Sequence, residues 1–228
     1  MLALRPCGTC SAAAEPREWH ACAPPLAEVT VLSTFVAQQL AILHVGPVDL
    51  RLDAGRCVVL RGPSGSGKSL LLRAMADLLP HRGRLLLDDR PCESFRAHEW
   101  RRRVGYLPAH GQWWFDRVGE HFADPDTVDV GALALAADIM DWDMARCSTG
   151  ERQRLAILRL LANRPRVLLL DEPTASLDRD NTRRVEALIA DYRAAEGAPV
   201  VWVSHDREQA KRIADQILVL EHGKLAAA

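Results

Sequence analysis

Short apolar runs alternate with longer amphipathic segments along most of the chain. The runs at residues 57–60, 167–170 and 200–203 are apolar throughout, which is typical of strands covered on both faces. Residues 48–52 alternate apolar and polar side chains, which predicts a half-buried strand. Further strands are predicted at 84–87, 104–107 and 217–220, and helices at 69–79, 94–103, 150–162, 182–193 and 207–214. Strands that alternate with helices predict an α/β fold with a largely parallel sheet.

The first part of the chain differs in composition from the rest. Residues 1–25 are rich in Ala, Pro and Cys and show neither a helical nor a strand period. We expect them to form a loose, partly disordered leader, or to reflect a start codon assigned too far upstream. The folded domain is then expected at 26–228, with a mixed, aromatic-rich insert at 110–147. Within it, residues 29–36 fit either a strand or a short apolar helix.

Several of the six cysteines lie in this leader. Cys7 and Cys10 form a CxxC pair, His20 and Cys22 follow, and these four side chains could ligate zinc. Because no second CxxC closes such a site, we favour incidental thiols in an unstructured tail. The other cysteines lie singly in patterned sequence and no secretory signal is visible, so we expect a reducing cytoplasm.

Composition argues against several function classes. The 228 residues include 29 basic and 30 acidic side chains, and this net charge of −1 does not favour nucleic-acid or polybasic membrane binding. With 48% hydrophobic residues, the chain can bury a core and is not disordered throughout. Its uncharged apolar runs are well short of the roughly 18 residues of a spanning helix, so membrane association is expected to require a protein partner.

A phosphate-binding motif stands between the strand at 57–60 and the helix at 69–79. Residues 62–69 read Gly-Pro-Ser-Gly-Ser-Gly-Lys-Ser, which fits G-x-x-x-x-G-K-[ST] in the strand–loop–helix context that the motif requires. Backbone N–H groups turn inward at the positive end of the helix, Lys68 reaches the β- and γ-phosphates, and Ser69 offers its hydroxyl to Mg²⁺. The predicted nucleotide-binding residues are Gly62, Pro63, Ser64, Gly65, Ser66, Gly67, Lys68, Ser69 and Leu70.

Two carboxylates end the buried strand at 167–170. Asp171 is expected beside the Mg²⁺ that Ser69 contacts, as the second protein contact of the metal. Glu172 is placed to polarise a water for attack on the γ-phosphate. An ordinary surface carboxylate is the alternative for Glu172, but its position between a buried strand and Pro173 favours a catalytic role.

Three further stretches of sequence indicate which family of nucleoside triphosphatases the chain resembles. They read Ser-Thr-Gly-Glu-Arg-Gln at 148–153, Asp-Glu-Pro-Thr-Ala-Ser-Leu-Asp at 171–178 and Val-Ser-His-Asp at 203–206. In this order they resemble the ATP-binding subunits of ABC transporters, over about residues 45–225. The resemblance implies a P-loop NTPase fold, with flanking helices on a mostly parallel sheet, a short helical subdomain at 110–147 and a small N-terminal β part.

The resemblance also assigns roles to individual residues. Ser148, Thr149, Gly150 and Glu151 match the signature that clasps the γ-phosphate held by the opposite subunit. From the residues themselves, Ser148 and Glu151 have the spacing of a capping box, so the helix N-terminus is available to an anion. The remaining assignments are Leu177 and Asp178 at the dimer interface and His205 as the switch histidine, so that the implied catalytic residues are Glu172, His205 and Lys68.

The implied assembly is a head-to-tail homodimer with two ATP molecules and Mg²⁺ between the subunits. Hydrolysis would open this dimer and drive a separate integral-membrane permease, with the ATPase peripheral on the inner face of the cell membrane and no nucleic-acid partner. The compact insert and the last third of the chain are similar to small ATPases paired with permeases of the putative iron-export type.

The sequence departs from the family pattern at two functional positions. Thr149 replaces a glycine of the signature, and a β-branched residue resists φ > 0 and keeps the backbone farther from a phosphate. Ala109 stands where the family has a glutamine that senses Mg²⁺ and the permease. Gln112 is a substitute sensor or, equally, an ordinary surface residue.

Aromatic residues raise two further questions. Phe35 is the aromatic nearest the usual adenine-stacking position, but we do not assign it that role. Several aromatics of the insert form either a local core, which we favour, or a socket for a helix of the permease. They are Trp113, Trp114, Phe115, Phe122 and Trp142.

Two other functions stay open beside the transporter ATPase. A soluble, non-transport ABC ATPase would generally carry two cassettes or a long coiled-coil insertion, and this chain has neither. A nucleotide-binding subunit with weak hydrolysis is the other alternative, although Glu172 and His205 are both present. A different P-loop enzyme, such as a small-molecule kinase, would lack the stretches around Ser148 and His205.

Overall fold

The computed structural model describes residues 33–227. The predicted leader and its zinc-ligand candidates, Cys7, Cys10, His20 and Cys22, lie outside these residues. The strands are β1 (Phe35–Ile42), β2 (Val45–Leu52), β3 (Cys57–Arg61), β4 (Arg82–Leu87), β5 (Arg90–Pro91), β6 (Val104–Leu107), β7 (Val167–Asp171), β8 (Val200–Val203), β9 (Gln216–Glu221) and β10 (Lys224–Ala227). The α-helices are α1 (Lys68–Met75), α2 (Ala97–Arg103), α3 (Thr149–Ala162), α4 (Arg179–Glu196) and α5 (Arg207–Ile213).

The larger sheet has the strand order β10-β9-β3-β8-β7-β6. Its strands run parallel from β9 to β6, and β10 pairs antiparallel at one edge, which confirms the predicted mostly parallel sheet. Val203 of β8 lies opposite both Leu60 of β3 and Asp171 of β7. The carboxyl ends of three neighbouring strands therefore meet, and ligands of open α/β sheets bind at such an edge.

A smaller antiparallel sheet has the order β2-β1-β4-β5. It confirms the small β part, but β4 and β5 follow the phosphate loop in the chain, so this sheet is not N-terminal alone. Its apolar side joins α1 and α2 in one core, in which Phe35, Leu72 and Trp100 are fully buried. Burial of these large side chains fixes α1, and with it the phosphate loop, against both sheets.

The two faces of the larger sheet are buried in two different cores. In β7, Val167 and Leu169 belong to the core that contains α1, whereas Leu168 and Leu170 face the core that contains α3 and the insert. The continuous apolar run of β7 thus reflects burial on both faces, as predicted.

Some predicted element ends differ from the structure. Helix α1 ends at Met75 instead of 79, because Asp77 has φ 53° and the N–H of Leu78 donates to Arg73 O at 2.9 Å, as in a Schellman motif. Strand β1 begins at Phe35, near the end of the predicted segment 29–36. Strand β10 was not predicted, because its short run of small side chains has no clear period.

The insert contains no α-helix between residues 110 and 147. Its helical part consists of short 3₁₀ helices at Gly119–His121, Pro125–Thr127, Val130–Leu133, Ile139–Asp141 and Met144–Arg146. Interspersed glycines and Pro125 disfavour longer helices here. Leu133 and Ile139 are nevertheless fully buried with α3, so the insert is a packed part of the molecule. Within residues 33–227, no helix is long and apolar enough to cross a membrane.

Candidate active site

The phosphate loop connects β3 to α1 around a buried ammonium group. Lys68 is only 6% exposed, and its Nζ donates to Gly62 O and Pro63 O, each at 2.9 Å. Burial lowers the pKa of Lys68, while the carboxylates of Glu172 and Asp171 oppose this shift. A cation held in this way, at the positive end of a helix, is suited to a polyphosphate.

Glycine is required at both ends of the loop. Gly62 and Gly67 have φ values of 147° and 98°, which side chains disfavour. A Cβ at Gly62 would overlap Leu220 O of β9, and one at Gly67 would overlap Val45 Cγ2 of β2. The loop is therefore in close contact with both sheets.

Asp171 and Glu172 leave β7 in different directions, as predicted. Asp171 is 3% exposed, and Tyr106 of the neighbouring strand β6 donates its hydroxyl to Asp171 Oδ2 at 3.2 Å. Glu172 adopts φ 49°, an unusual backbone conformation for a non-glycine residue, and its N–H donates to Val203 O at 3.2 Å. This turn directs the Glu172 side chain toward the loop that follows β8.

His205 follows β8 and meets Glu172 there. His205 Nε2 lies 2.9 Å from Glu172 Oε1, and both side chains are partly exposed. Two residues that the sequence predicts as catalytic, 33 positions apart, are thus in contact because β7 and β8 are neighbours. Such a pair can orient a water or another small ligand between the strand ends.

A buried network of polar side chains joins the loop that carries His205 to the loop that carries Glu172. Gln209 is 2% exposed; its Oε1 accepts from Ser204 Oγ at 2.7 Å, and its Nε2 donates to Thr174 Oγ1 and Glu186 Oε1 at 3.0 and 2.9 Å. Arg212 in turn donates to both carboxylate oxygens of Glu186. The network ties the loop after β7 to the loop after β8, and sequence reasoning missed it because its members are far apart in the chain.

The signature stretch forms the N-terminus of α3. Ser148 Oγ accepts from Glu151 N at 3.2 Å and Glu151 Oε2 accepts from Ser148 N at 2.8 Å, so the predicted capping box is confirmed. The Ser148 hydroxyl also donates to Glu151 Oε2 at 2.7 Å, and this hydrogen bond, together with that from Ser148 N, lowers the pKa of Glu151. Thr149 is the first helical residue and has no positive φ, so the backbone strain expected for a β-branched side chain does not arise here. The expected effect of Thr149 on the distance to a phosphate stays a prediction.

The segment after Glu172 lies beside this signature. A Cβ at Gly150 would be 3.5 Å from both Leu177 Cδ2 and Ser176 O. Asp178 caps α4, since its Oδ1 accepts from Asn181 N at 2.8 Å. The structure therefore brings the signature and the predicted interface residues together on one part of the surface.

Other candidate residues lie apart from the strand ends. Gln112 is exposed, and its backbone oxygen accepts from Arg159 at 3.1 Å, while its proposed sensor role stays a prediction. Phe35 is fully buried against Trp100, with ring centroids 6.1 Å apart, so it offers no face to a base.

The aromatics of the insert divide into two groups. Phe122 is buried and Trp113 and Trp142 are half-buried, as a local core requires. Trp114 and Phe115 are 64% and 48% exposed, with ring centroids 6.0 Å apart. The ring of His121 contacts both, and its Nε2 accepts from both of their backbone N–H groups at 3.0 Å. The local core thus accounts for Phe122, Trp113 and Trp142, whereas Trp114 and Phe115 are exposed.

Tyr106 is a site residue that sequence reasoning missed. The available signal was a phenol inside the apolar strand at 104–107, since a buried tyrosine hydroxyl needs a polar partner. With Asp171 and Ser69, the site offers oxygen donors of the kind that Mg²⁺ prefers. Among residues 33–227, Tyr106 is the residue that donates a hydrogen bond to the buried carboxylate of Asp171. The other lone pairs of this carboxylate are therefore open to a cation.

Comparison with known proteins agrees with this geometry. The family described as ABC transporter matches residues 45–175. The hemin import ATP-binding protein HmuV of Rhodococcus jostii is 37% identical over 197 residues, which cover 79% of this chain and 66% of that protein. The probable iron export ATP-binding protein FetA of Escherichia coli is 30% identical over 187 residues, covering 76% of this chain and 83% of that protein.

Among solved structures, a bacterial Atm1-family ABC exporter with ATP bound superposes with a TM-score of 0.74 at 25% identity. That match covers 85% of this chain and 38% of the exporter chain. The chain spans less than two thirds of the hemin relative, and 55% of Protein STAR1 of Oryza sativa, to which it is 38% identical. The matches show that the chain belongs to the ABC transporter family and contains its ATP-binding domain.

Proposed function

We propose that the chain binds and hydrolyses Mg-ATP and thereby drives a separate membrane permease. One observation carries the proposal: Lys68, Asp171 and the Glu172–His205 pair converge at the carboxyl ends of β3, β7 and β8. The proposal takes residues 26–228 as one ATP-binding domain, with 110–147 as its insert, and places it at the inner face of the membrane.

Each residue contributes one part of the chemistry. The loop N–H groups and Lys68 bind the phosphates, and Ser69 and Asp171 are the residues that would hold the metal. When bound, Mg²⁺ neutralises charge that develops on the β- and γ-phosphate oxygens. Glu172 accepts a hydrogen bond from the attacking water and orients it toward the γ-phosphate, while His205 fixes the Glu172 carboxylate at 2.9 Å.

The complete site requires a second copy of the chain in this proposal. The N-terminus of α3, with Ser148 and Gly150, would contact the γ-phosphate bound by the other subunit in a head-to-tail homodimer. Its proximity to Leu177 supports a shared dimer surface. One chain then supplies the phosphate loop of one site and the signature of the other, so that each complete site needs both chains.

The permease is proposed to dock on the exposed aromatic pair. Trp114 and Phe115 have adjacent rings at the surface, and their backbone N–H groups both donate to His121 Nε2. Exposed aromatic anchors of this kind are typical of protein–protein contacts. A helix of the permease that covers this pair would transmit the movement of the dimer across the membrane.

Size-exclusion chromatography of the Glu172→Gln variant with Mg-ATP tests the composite site. Without hydrolysis, ATP should remain bound and convert monomer to dimer. Lys68→Ala in the Glu172→Gln background is the matched control and should stay monomeric, because its phosphate loop cannot hold the nucleotide. A Glu172→Gln chain that stays monomeric at saturating Mg-ATP would contradict the proposed ATP-bound homodimer.

A further inference from the structure

A chain of polar contacts leads from the phosphate-loop helix to the predicted metal carboxylate. Arg73 Nε of α1 donates to the Tyr106 hydroxyl oxygen at 3.4 Å, and that hydroxyl donates to Asp171 Oδ2 at 3.2 Å. Tyr106 lies opposite Leu169 in the β6–β7 register, two residues before Asp171, so both side chains point to the sheet face that α1 covers. The three residues therefore meet between the exposed side of α1 that carries Arg73 and the β6–β7 edge of the sheet.

The direction of these hydrogen bonds is fixed by chemistry. The guanidinium of Arg73 can only donate, so it occupies a lone pair of the phenol oxygen. An ionised carboxylate can only accept, so the single phenol proton points to Asp171. A tyrosine hydroxyl has an ordinary pKa of about 10 and so carries its proton at neutral pH.

We propose that Tyr106, oriented by Arg73, is a positioning residue that holds the Asp171 carboxylate for the divalent cation. This inference rests on the function proposed above. Tyr106 engages Oδ2 and thereby fixes the rotation of the carboxylate, which leaves Oδ1 for the cation or for its water. Partners that hydrogen-bond a ligating carboxylate have this orienting effect in metal sites generally.

Helix α1 carries both Ser69, which would contact the cation, and Arg73, which contacts Tyr106. Ser69 and Arg73 are four residues apart in α1 and lie on the same side of the helix. Ser69 would contact the cation directly, whereas Arg73 acts on Asp171 through Tyr106. One rigid helix thus sets the positions of both oxygen ligands relative to each other, although Asp171 belongs to a different strand.

Mn²⁺ binding in the presence of ADP, measured by electron paramagnetic resonance, tests this role without turnover. Tyr106→Phe removes only the hydroxyl and should weaken Mn²⁺ binding by about tenfold, the lower end of the range for such partners. ADP binding without metal should stay unchanged. Arg73→Met should weaken Mn²⁺ binding in the same direction by a smaller factor.

Tyr192→Phe is the matched control. Tyr192 is buried, and its hydroxyl also donates within the protein, to Pro165 O at 2.7 Å, away from the carboxyl ends of the strands. Its loss should lower the melting temperature and leave the Mn²⁺ affinity unchanged, which separates positioning from general stability. Unchanged Mn²⁺ affinity in Tyr106→Phe would overturn the inference.

The Asp171→Asn variant separates the positioning role of Tyr106 from the proposed metal-binding role of Asp171. If Asp171→Asn loses Mn²⁺ binding and Tyr106→Phe does not, the metal site stands and only the positioning role fails. If Asp171→Asn also binds Mn²⁺ as tightly as the unmodified chain, the proposed metal role of Asp171 fails.

Discussion

Gly65 and Gly67 both adopt a positive φ, 77° and 98°, but in different surroundings. A Cβ added at Gly65 would have no atom of the described residues within 4 Å, apart from its chain neighbours. A Cβ at Gly67 would overlap Val45 Cγ2 and approach His44 Nε2 to 3.4 Å. Gly65 is therefore needed for backbone conformation alone, whereas Gly67 is needed for conformation and for close packing against β2.

This difference predicts unequal costs for the same substitution. Gly67→Ala should lower the free energy of unfolding by about 3 kcal/mol, since left-handed strain and overpacking add. Gly65→Ala should cost about 1 kcal/mol, from strain alone. Urea denaturation of both variants measures the two values, and equal losses would show that the contact with Val45 carries no energy.

At the scale of elements, the neighbouring strands β7 and β8 bring the loops that follow them together. Hydrogen bonds between polar side chains then hold these loops in place. The network around Gln209 joins Ser204 after β8, Thr174 after β7 and Glu186 on α4. Each of these groups is buried or half-buried, so each needs its partner. The network thereby holds the backbone that carries Glu172 and His205.

Replacement of the central amide should be costly. Gln209→Leu keeps the volume but leaves three polar groups short of a partner, and should lower the free energy of unfolding by about 2 kcal/mol. Glu208→Ala on the same helix is the control: its ion pair with Lys211 is exposed and should contribute less than about 0.5 kcal/mol. Similar losses measured by chemical denaturation for both variants would refute a special role of the buried amide.

At the scale of the whole molecule, the phosphate loop lies where the two sheets meet. Gly67 packs against β2 of the smaller sheet and Gly62 against β9 of the larger one. A further hydrogen bond joins Gly46 N in β2 to Gly223 O after β9, at 2.8 Å. A nucleotide in this loop would therefore stabilise both sheets together.

Mg-ATP should accordingly raise the thermal stability of the entire chain. At a concentration about 100 times the dissociation constant, binding contributes about 2.7 kcal/mol, or about 5–10 °C for a domain of this size. Removal of the metal with EDTA should reduce the shift. Scanning calorimetry measures the shift in melting temperature. The Lys68→Ala variant should show almost no shift with Mg-ATP. If that variant shifts as much as the unmodified chain, the nucleotide binds elsewhere.

Much of the site was predictable because its signals are local. The spacing of Gly62, Lys68 and Ser69, the capping box of Ser148, and the carboxylates after the apolar run of β7 are each encoded within a few residues. The end of α1 was predicted four residues too late, at 79 instead of Met75, because only the left-handed conformation of Asp77 reveals it. The insert also differs from expectation in detail, since short 3₁₀ helices carry no strong period.

The sequence by itself determined the order of most strands and helices, the phosphate loop and the family, since these depend on short motifs and on apolar periodicity. Only the tertiary structure decided that Glu172 contacts His205, that Tyr106 binds Asp171 and that Trp114 and Phe115 are exposed. The physical reason is that such contacts join residues distant in the chain. Their geometry is set by strand order and by the packing of α1 and α3 on the sheet, which no local pattern encodes.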